Sequence, residues 1–216
     1  MELAVLFDMD GVIVDSNPYH KLAFETFLQR HDVFLTDDEL KTRVYGRTNQ
    51  EIMRFIFKDN FSPERSVVWA EEKEAIFREL YQEVSPVKGL VPFLQNLKAL
   101  NIKTAVGTSA PKLNLDFIFE KTNLLQYFDA LLHAGDVQYG KPNPEIYLKA
   151  AALLKINPAG CIVIEDSLPG VKAGLDAGMK VIGITTTHTI KELGNAHLVI
   201  EDFEGLTMQA LLELLK

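Results

Sequence analysis

The chain has 216 residues, 47% of them hydrophobic and 24% charged, with a formal net charge of −8 and one cysteine. That length suits one sizeable domain, or a core domain carrying a smaller insert. The acidic balance argues against a general nucleic-acid binder, whose phosphate contacts need clustered Lys and Arg, although a local lysine or metal can still hold a small anion. No apolar run approaches the ~18 residues of a membrane span. The first residues show no basic stretch before an apolar one, so a cytoplasmic protein without a secretory signal is expected. Cys161, inside the apolar run CIVIED, reads as a buried, inert thiol in a reducing compartment.

In chain order, short apolar runs recur and each ends at polar or glycine-rich residues: LAVLF (3–7), KTAVGT (103–108), ALLHAGD (130–136), CIVIED (161–166), KVIGIT (180–185) and HLVIED (197–202). Continuous rather than alternating apolar character suggests strands buried on both faces, as in a parallel sheet. Between them lie helical patterns, with Leu90, Phe93, Leu94, Leu97 and Leu100 on one face, and Ile146, Ala150 and Leu153 on another. Strands alternating with helices predict an α/β, doubly wound parallel sheet.

Residues 17 to about 83 break that rhythm and read as helix after helix, with start signals at Thr36 and at Ser62-Pro63-Glu64. The predicted division is a core of 1–16 and 84–216 with a helical insertion of 17–83. Such an insertion follows the carboxyl end of the first strand, the edge where open α/β sheets bind ligands.

The strand ends carry the chemistry. The first ends in Asp8 and Asp10, the second in Thr108 and Ser109, and the fourth in Glu165 and Asp166, while Lys141 follows the third in YGKPNP. Four carboxylates a few ångströms apart raise one another's pKa, and burial adds to the cost. A hard divalent cation relieves it, and Mg²⁺ fits because it binds through one or two carboxylates plus substrate phosphate. Lysine, hydroxyl, backbone amides and a metal around one point make a phosphate site. One aspartate can attack phosphorus to form an aspartyl-phosphate. The other, two residues on, can protonate the leaving oxygen and later activate water. The two share a face if the backbone stays extended between them.

FDMDGVIVDS resembles the first motif of the haloacid dehalogenase-like superfamily, AVGTSA its second, GKPNPEIY its third and VIEDSLPGVKAG its fourth, in that order across the first ~180 residues. The resemblance implies Asp8 as nucleophile, Asp10 as general acid/base, Thr108 as the phosphate-binding hydroxyl and Lys141 as the charge stabiliser. It implies Mg²⁺ held by Asp8, Glu165, Asp166 and the Asp10 carbonyl, and residues 17–83 as a cap that closes over the substrate. For Glu165 a direct metal bond, a water-mediated one and backbone hydrogen bonding stand as alternatives.

Within the superfamily the chain is similar to the β-phosphoglucomutase-like branch through VDSNPYH, which holds His20, and through YGRTNQEI. Members that are mutases carry a basic residue before the loop glycine and an arginine three residues after it. Here Tyr45 and Asn49 occupy those places and Arg47 follows the glycine. A mutase grips two phosphates, so the distal grip would fall to Arg47 or Lys73. His20, Arg47 and Ser109 are the candidate substrate contacts, with helix packing as the alternative for His20 and a surface charge for Arg47. The run EEKE (71–74) reads as a solvated helical face, and Trp69, Phe55 and Phe77 as core of the insertion.

The favoured function is a Mg²⁺-dependent phosphohydrolase acting on a small phosphorylated metabolite, such as a sugar phosphate or pyrophosphate, by way of an aspartyl-phosphate. The alternative is a β-phosphoglucomutase-type mutase. A dehalogenase needs no acid/base partner, so Asp10 argues against it. A signalling receiver domain lacks the long helical insertion, and a non-enzymatic phosphate-binding module leaves the full set of polar groups unexplained. No nucleic-acid or membrane partner is expected, and a monomer is the simplest state.

Overall fold

The computed structural model describes residues 3–39, 43 and 49–216. Arg47 and Tyr45 therefore lie outside the described residues. The chain divides into two compact units, one of residues 1–15 and 84–216 and one of residues 16–83.

The first unit is built on six parallel strands: β1 (Ala4–Phe7), β2 (Lys103–Gly107), β3 (Ala130–Leu132), β4 (Cys161–Glu165), β5 (Lys180–Ile184) and β6 (Leu198–Ile200). Their spatial order is β3-β2-β1-β4-β5-β6. All six apolar runs of the sequence become strands. The central ones are continuous apolar runs because neighbours cover both faces: every residue of β1 and β4 is buried, whereas edge strand β6 is half-buried throughout. Five helices belong to this unit: α5 (Leu90–Ala99), α6 (Lys112–Thr122), α7 (Glu145–Leu154), α8 (Leu168–Asp176) and α9 (Met208–Leu214).

One apolar cluster joins Leu6, Ala105 and Val163 of the sheet to Tyr147, Ala150 and Ala151 of α7 and Val171 of α8. A second, aromatic, group joins Phe7 to Phe128 (centroids 5.6 Å apart, edge-on) and Phe93 to Phe203 (5.5 Å). Two helical faces need correction. Leu153 is 61% exposed, and the buried stripe of α7 is Ile146, Tyr147, Ala150, Ala151 and Leu154. At 3.6 residues per turn the stripe is centred one position later than Leu153 requires. Leu100 is exposed because it follows the last turn of α5.

Strand order reverses beside β1, since β2 and β3 lie on one side and β4 to β6 on the other. Register sets Phe7 level with Val106 and Ile164, so the residues that follow β1, β2 and β4 emerge together at one edge. Beyond β1, Val14 bridges Pro86 and the Val87 amide donates to the Ile13 carbonyl at 2.9 Å. The chain thus leaves and re-enters this unit side by side.

The second unit holds α1 (Asn17–Arg30), α2 (Asp37–Glu39), α3 (Asn49–Phe57) and α4 (Pro63–Leu80). Both start signals are realised. Thr36 and Glu39 exchange hydrogen bonds, the Thr36 amide to Glu39 Oε2 at 2.8 Å and the Glu39 amide to Thr36 Oγ1 at 3.2 Å. Ser62 Oγ accepts from the Arg65 amide with Pro63 at the first helical position. Phe24, Phe27, Ile52, Met53, Ile76 and Phe77 form the apolar interior. Trp69 and Phe55 are only half-buried, and Trp69 stacks on Phe57 at 3.7 Å.

The reading of EEKE as a solvated face fails at two positions. Lys73 is 2% and Glu74 4% exposed. Lys73 Nζ lies 2.7 Å from Glu74 Oε1 and 3.1 Å from His20 Nδ1, and 4.6 Å from the centre of the Phe24 ring. Asn49 donates to Glu74 Oε1 at 3.0 Å, and the His20 ring stacks on Phe77 at 3.8 Å. Charged residues enter this interior because they enter as a matched set. Among the described residues no helix is long and apolar enough to cross a membrane.

Candidate active site

β1 stops at Phe7, but the Asp8 amide still donates to the Ile164 carbonyl at 3.0 Å, so Asp8 is held in line with the sheet. The chain then turns. The Met9 carbonyl accepts from Val12, Ile13 and Val14, and Gly11 has φ +75°. Glycine enters that left-handed region without a Cβ penalty. The regular strand thus ends before Asp10, which forms an isolated bridge with Val14. Asp10 remains near enough for its charge to act on both Asp8 and Asp166.

Thr108 follows β2, is 1% exposed, and its hydroxyl accepts from the Ala110 amide at 3.0 Å. Its own proton stays available for donation. Ser109 is exposed at the same turn. Lys141 comes from the loop between β3 and α7. Glu145, at the start of α7, pins that loop by accepting from the amides of Gln138 (3.0 Å) and Tyr139 (2.9 Å). Lys149, with these two amide bonds, lowers the Glu145 carboxyl to about 2.

Lys141 Nζ is 3.1 Å from Asp8 Oδ1 and 2.6 Å from Glu165 Oε1, its side chain only 4% exposed. Burial opposes its charge, yet Asp8 and Glu165 raise its pKa above the usual lysine value. Burial pushes Asp8 well above the ordinary carboxylate range; Lys141 opposes this, while Glu165, Asp166 and Asp10 add to it. Burial, with Glu165, pushes Asp166 up to about 7, against a hydrogen bond from Thr187.

Carboxylate oxygens of Asp8, Glu165 and Asp166 all lie within 4.8 Å of one another. A buried, all-oxygen set carrying more negative charge than Lys141 can balance fits a hard divalent cation. Glu165 differs from the other two. Its Oε1 accepts from Lys141 and Tyr147, and its Oε2 from the Asp166 amide and from the amide and hydroxyl of Ser167.

The sheet edge thus brings together Asp8, Asp10, Thr108, Ser109, Lys141, Glu165 and Asp166. His20 belongs to the helical unit. Sequence reasoning missed Tyr147, Ser167 and Thr187. Tyr147 stands in GKPNPEIY, where the lysine alone carries a visible charge signal. Thr187 follows a strand end as Asp8, Thr108 and Asp166 do, in TTTH after KVIGI, and that position is its signal. Cys161 is buried, with its thiol pushed up to about 11 by burial. A cavity of about 750 Å³ along α6, lined by Leu115, Phe119, Leu125 and Leu131, contains none of the site residues.

An acid cluster with a bridging lysine at the switch point of a doubly wound sheet defines a class of α/β enzymes. Residues 5–184 match the haloacid dehalogenase-like hydrolase family. The chain is 32% identical to a β-phosphoglucomutase of Bacillus subtilis, over 97% of this chain and 94% of that one. It is 33% identical to a phosphorylated carbohydrates phosphatase of Thermotoga maritima, over 83% of each. A haloacid dehalogenase hydrolase of Entamoeba histolytica (family IA, variant 3) superposes with a TM-score of 0.93 at 31% identity, covering 100% of this chain and 99% of that one. The chain belongs to the haloacid dehalogenase-like hydrolases, in their β-phosphoglucomutase-like branch.

Proposed function

We propose that the protein is a Mg²⁺-dependent phosphatase of a small phosphorylated carbohydrate, working through an aspartyl-phosphate on Asp8. The observation that carries this reading is Lys141 Nζ bridging Asp8 and Glu165 in a buried cluster with surplus carboxylates. An Asp8 oxygen attacks phosphorus while the bond to the sugar oxygen breaks, and Asp10 supplies that oxygen with its proton. Asp10 then takes a proton from water. The water oxygen attacks phosphorus, the bond to Asp8 breaks, and phosphate leaves. Lys141, with a third N–H beyond its two ion pairs, the Thr108 hydroxyl and the Ser109 amide hold the phosphoryl oxygens.

Asp8, Asp166 and the Asp10 carbonyl would hold Mg²⁺, with Glu165 adding charge beside them, and the cation would neutralise charge between carboxylates and phosphoryl oxygens. The helical unit would select the substrate as a cap, with His20 and Arg47 as its candidate contacts. A hydrolase is favoured over a mutase because Asn49 and Lys73, two places for a distal phosphate grip, are engaged with Glu74.

The test measures phosphate release from a panel of sugar phosphates and pyrophosphate with Mg²⁺, beside glucose-6-phosphate formation from β-glucose-1-phosphate with a bisphosphate primer. Phosphate release without isomerisation is expected. Glucose-6-phosphate formation with little free phosphate would replace the phosphatase with a mutase.

A further inference from the structure

Tyr147 is wholly buried in the first unit, and its hydroxyl donates to Glu165 Oε1 at 2.7 Å. The same oxygen accepts from Lys141 at 2.6 Å, and the Lys141 ammonium lies 4.9 Å from the centre of the Tyr147 ring. One side chain thus touches both members of the Lys141–Glu165 pair, by hydrogen bond on one and by its π-face on the other. The surroundings are cut to this arrangement. A Cβ on Gly107, the last residue of β2, would come 3.2 Å from Tyr147 Cε1. A Cβ on Gly170 would overlap the Glu165 carboxylate. Two glycines on different elements therefore leave room for one aromatic ring and one carboxylate. Three further donors hold Oε2, whereas Oε1 rests on Lys141 and Tyr147.

We propose that Tyr147 is a positioning residue that fixes the Lys141 ammonium against Asp8 by locking Glu165. Without the hydroxyl, Oε1 keeps one donor of two and can swing about Oε2, which its own three donors still hold. Lys141 then follows Glu165 and is drawn from the place where it meets a phosphoryl oxygen. Binding of the rest of the substrate does not depend on that placement, so kcat and not KM carries the effect. The inference rests on the phosphatase reading only for its kinetic arm.

The experiment uses Tyr147→Phe, which keeps the ring and its packing, beside Gly107→Ala, which presses on the ring and keeps the hydroxyl. Lysine acetylation by a succinimidyl ester of acetic acid is followed residue by residue by peptide mass spectrometry. Mg²⁺-dependent hydrolysis of p-nitrophenyl phosphate is measured in parallel. The expected result for Tyr147→Phe is about fivefold faster labelling of Lys141 alone, with kcat down about tenfold and KM within twofold. Gly107→Ala should change both readouts in the same direction. Unchanged Lys141 labelling overturns the proposal whatever kcat does, and so does faster labelling with unchanged kcat. If the wild-type protein releases no phosphate from any ester, the phosphatase reading falls, while selective acceleration at Lys141 still supports the positioning role.

Discussion

Each unit of the molecule buries a lysine against carboxylate, Lys73 beside Glu74 and Lys141 between Asp8 and Glu165, and the two clusters behave in opposite ways. In the helical unit burial pushes Glu74 up, but Lys73, His20 and Asn49 outweigh it and its carboxyl ends below the usual range. At the sheet edge burial pushes Asp8 up, and Lys141 cannot bring it back because Glu165, Asp166 and Asp10 add their charges. Burial is similar in both places; the balance of partners differs. A matched cluster holds a fold together, whereas one with surplus like charge stores unfavourable energy that a cation and a phosphoryl group can relieve. The acids of the first unit therefore read as chemistry and those of the second as architecture.

The contrast can be broken by substitution. Asp8→Asn should lower phosphate release at least about 10³-fold, since an amide is a poor nucleophile. It should also raise the Tm of the metal-free protein at pH 8 by roughly 2–4 °C, because one strained charge is removed. A fall in Tm, measured by calorimetry, would mean that Asp8 is as well compensated as Glu74. Glu74→Gln should do the reverse. It leaves the buried Lys73 without its counter-ion and should cost about 3 kcal/mol, or roughly 6–12 °C in Tm. An unchanged Tm would count against the matched-cluster account.

Metal and pH sharpen the comparison with a smaller effect. Asp166 titrates near its ordinary value of 3.8 when unfolded and at about 7 when folded. The folded state therefore holds this proton more tightly. Its stabilising contribution is complete below about pH 4 and is lost as pH rises through 7. If Mg²⁺ binds at this cluster, as proposed, it would take the place of that proton, and 5 mM Mg²⁺ should raise Tm by about 5 °C at pH 8 and by about 1 °C at pH 5. Equal shifts at the two values would show that the acid cluster is not where the ion binds.

The strands and the residues at their ends were legible from residue order because the signal of each strand is local in sequence. A strand buried on both faces announces itself as a continuous apolar run, and the residue after it must emerge at the sheet edge; Asp8, Thr108 and Asp166 all follow from that rule, with Glu165 closing its strand. Lys73 and Glu74 escape that rule because four charges in a row look solvated, and only the contacts of Lys73 with Phe24 and His20 and of Glu74 with Lys73 and Asn49 hold two of them inside.

Tertiary structure alone decided which charges are compensated. Glu165 meets Tyr147 from 18 positions away, Asp166 meets Thr187 from 21, and Lys73 meets His20 from 53. Sequence by itself determined which ionisable groups reach the sheet edge, since that depends on strand periodicity. Whether each arrives strained or satisfied depends on desolvation and on partners brought in by other elements, and those exist only once the chain has folded.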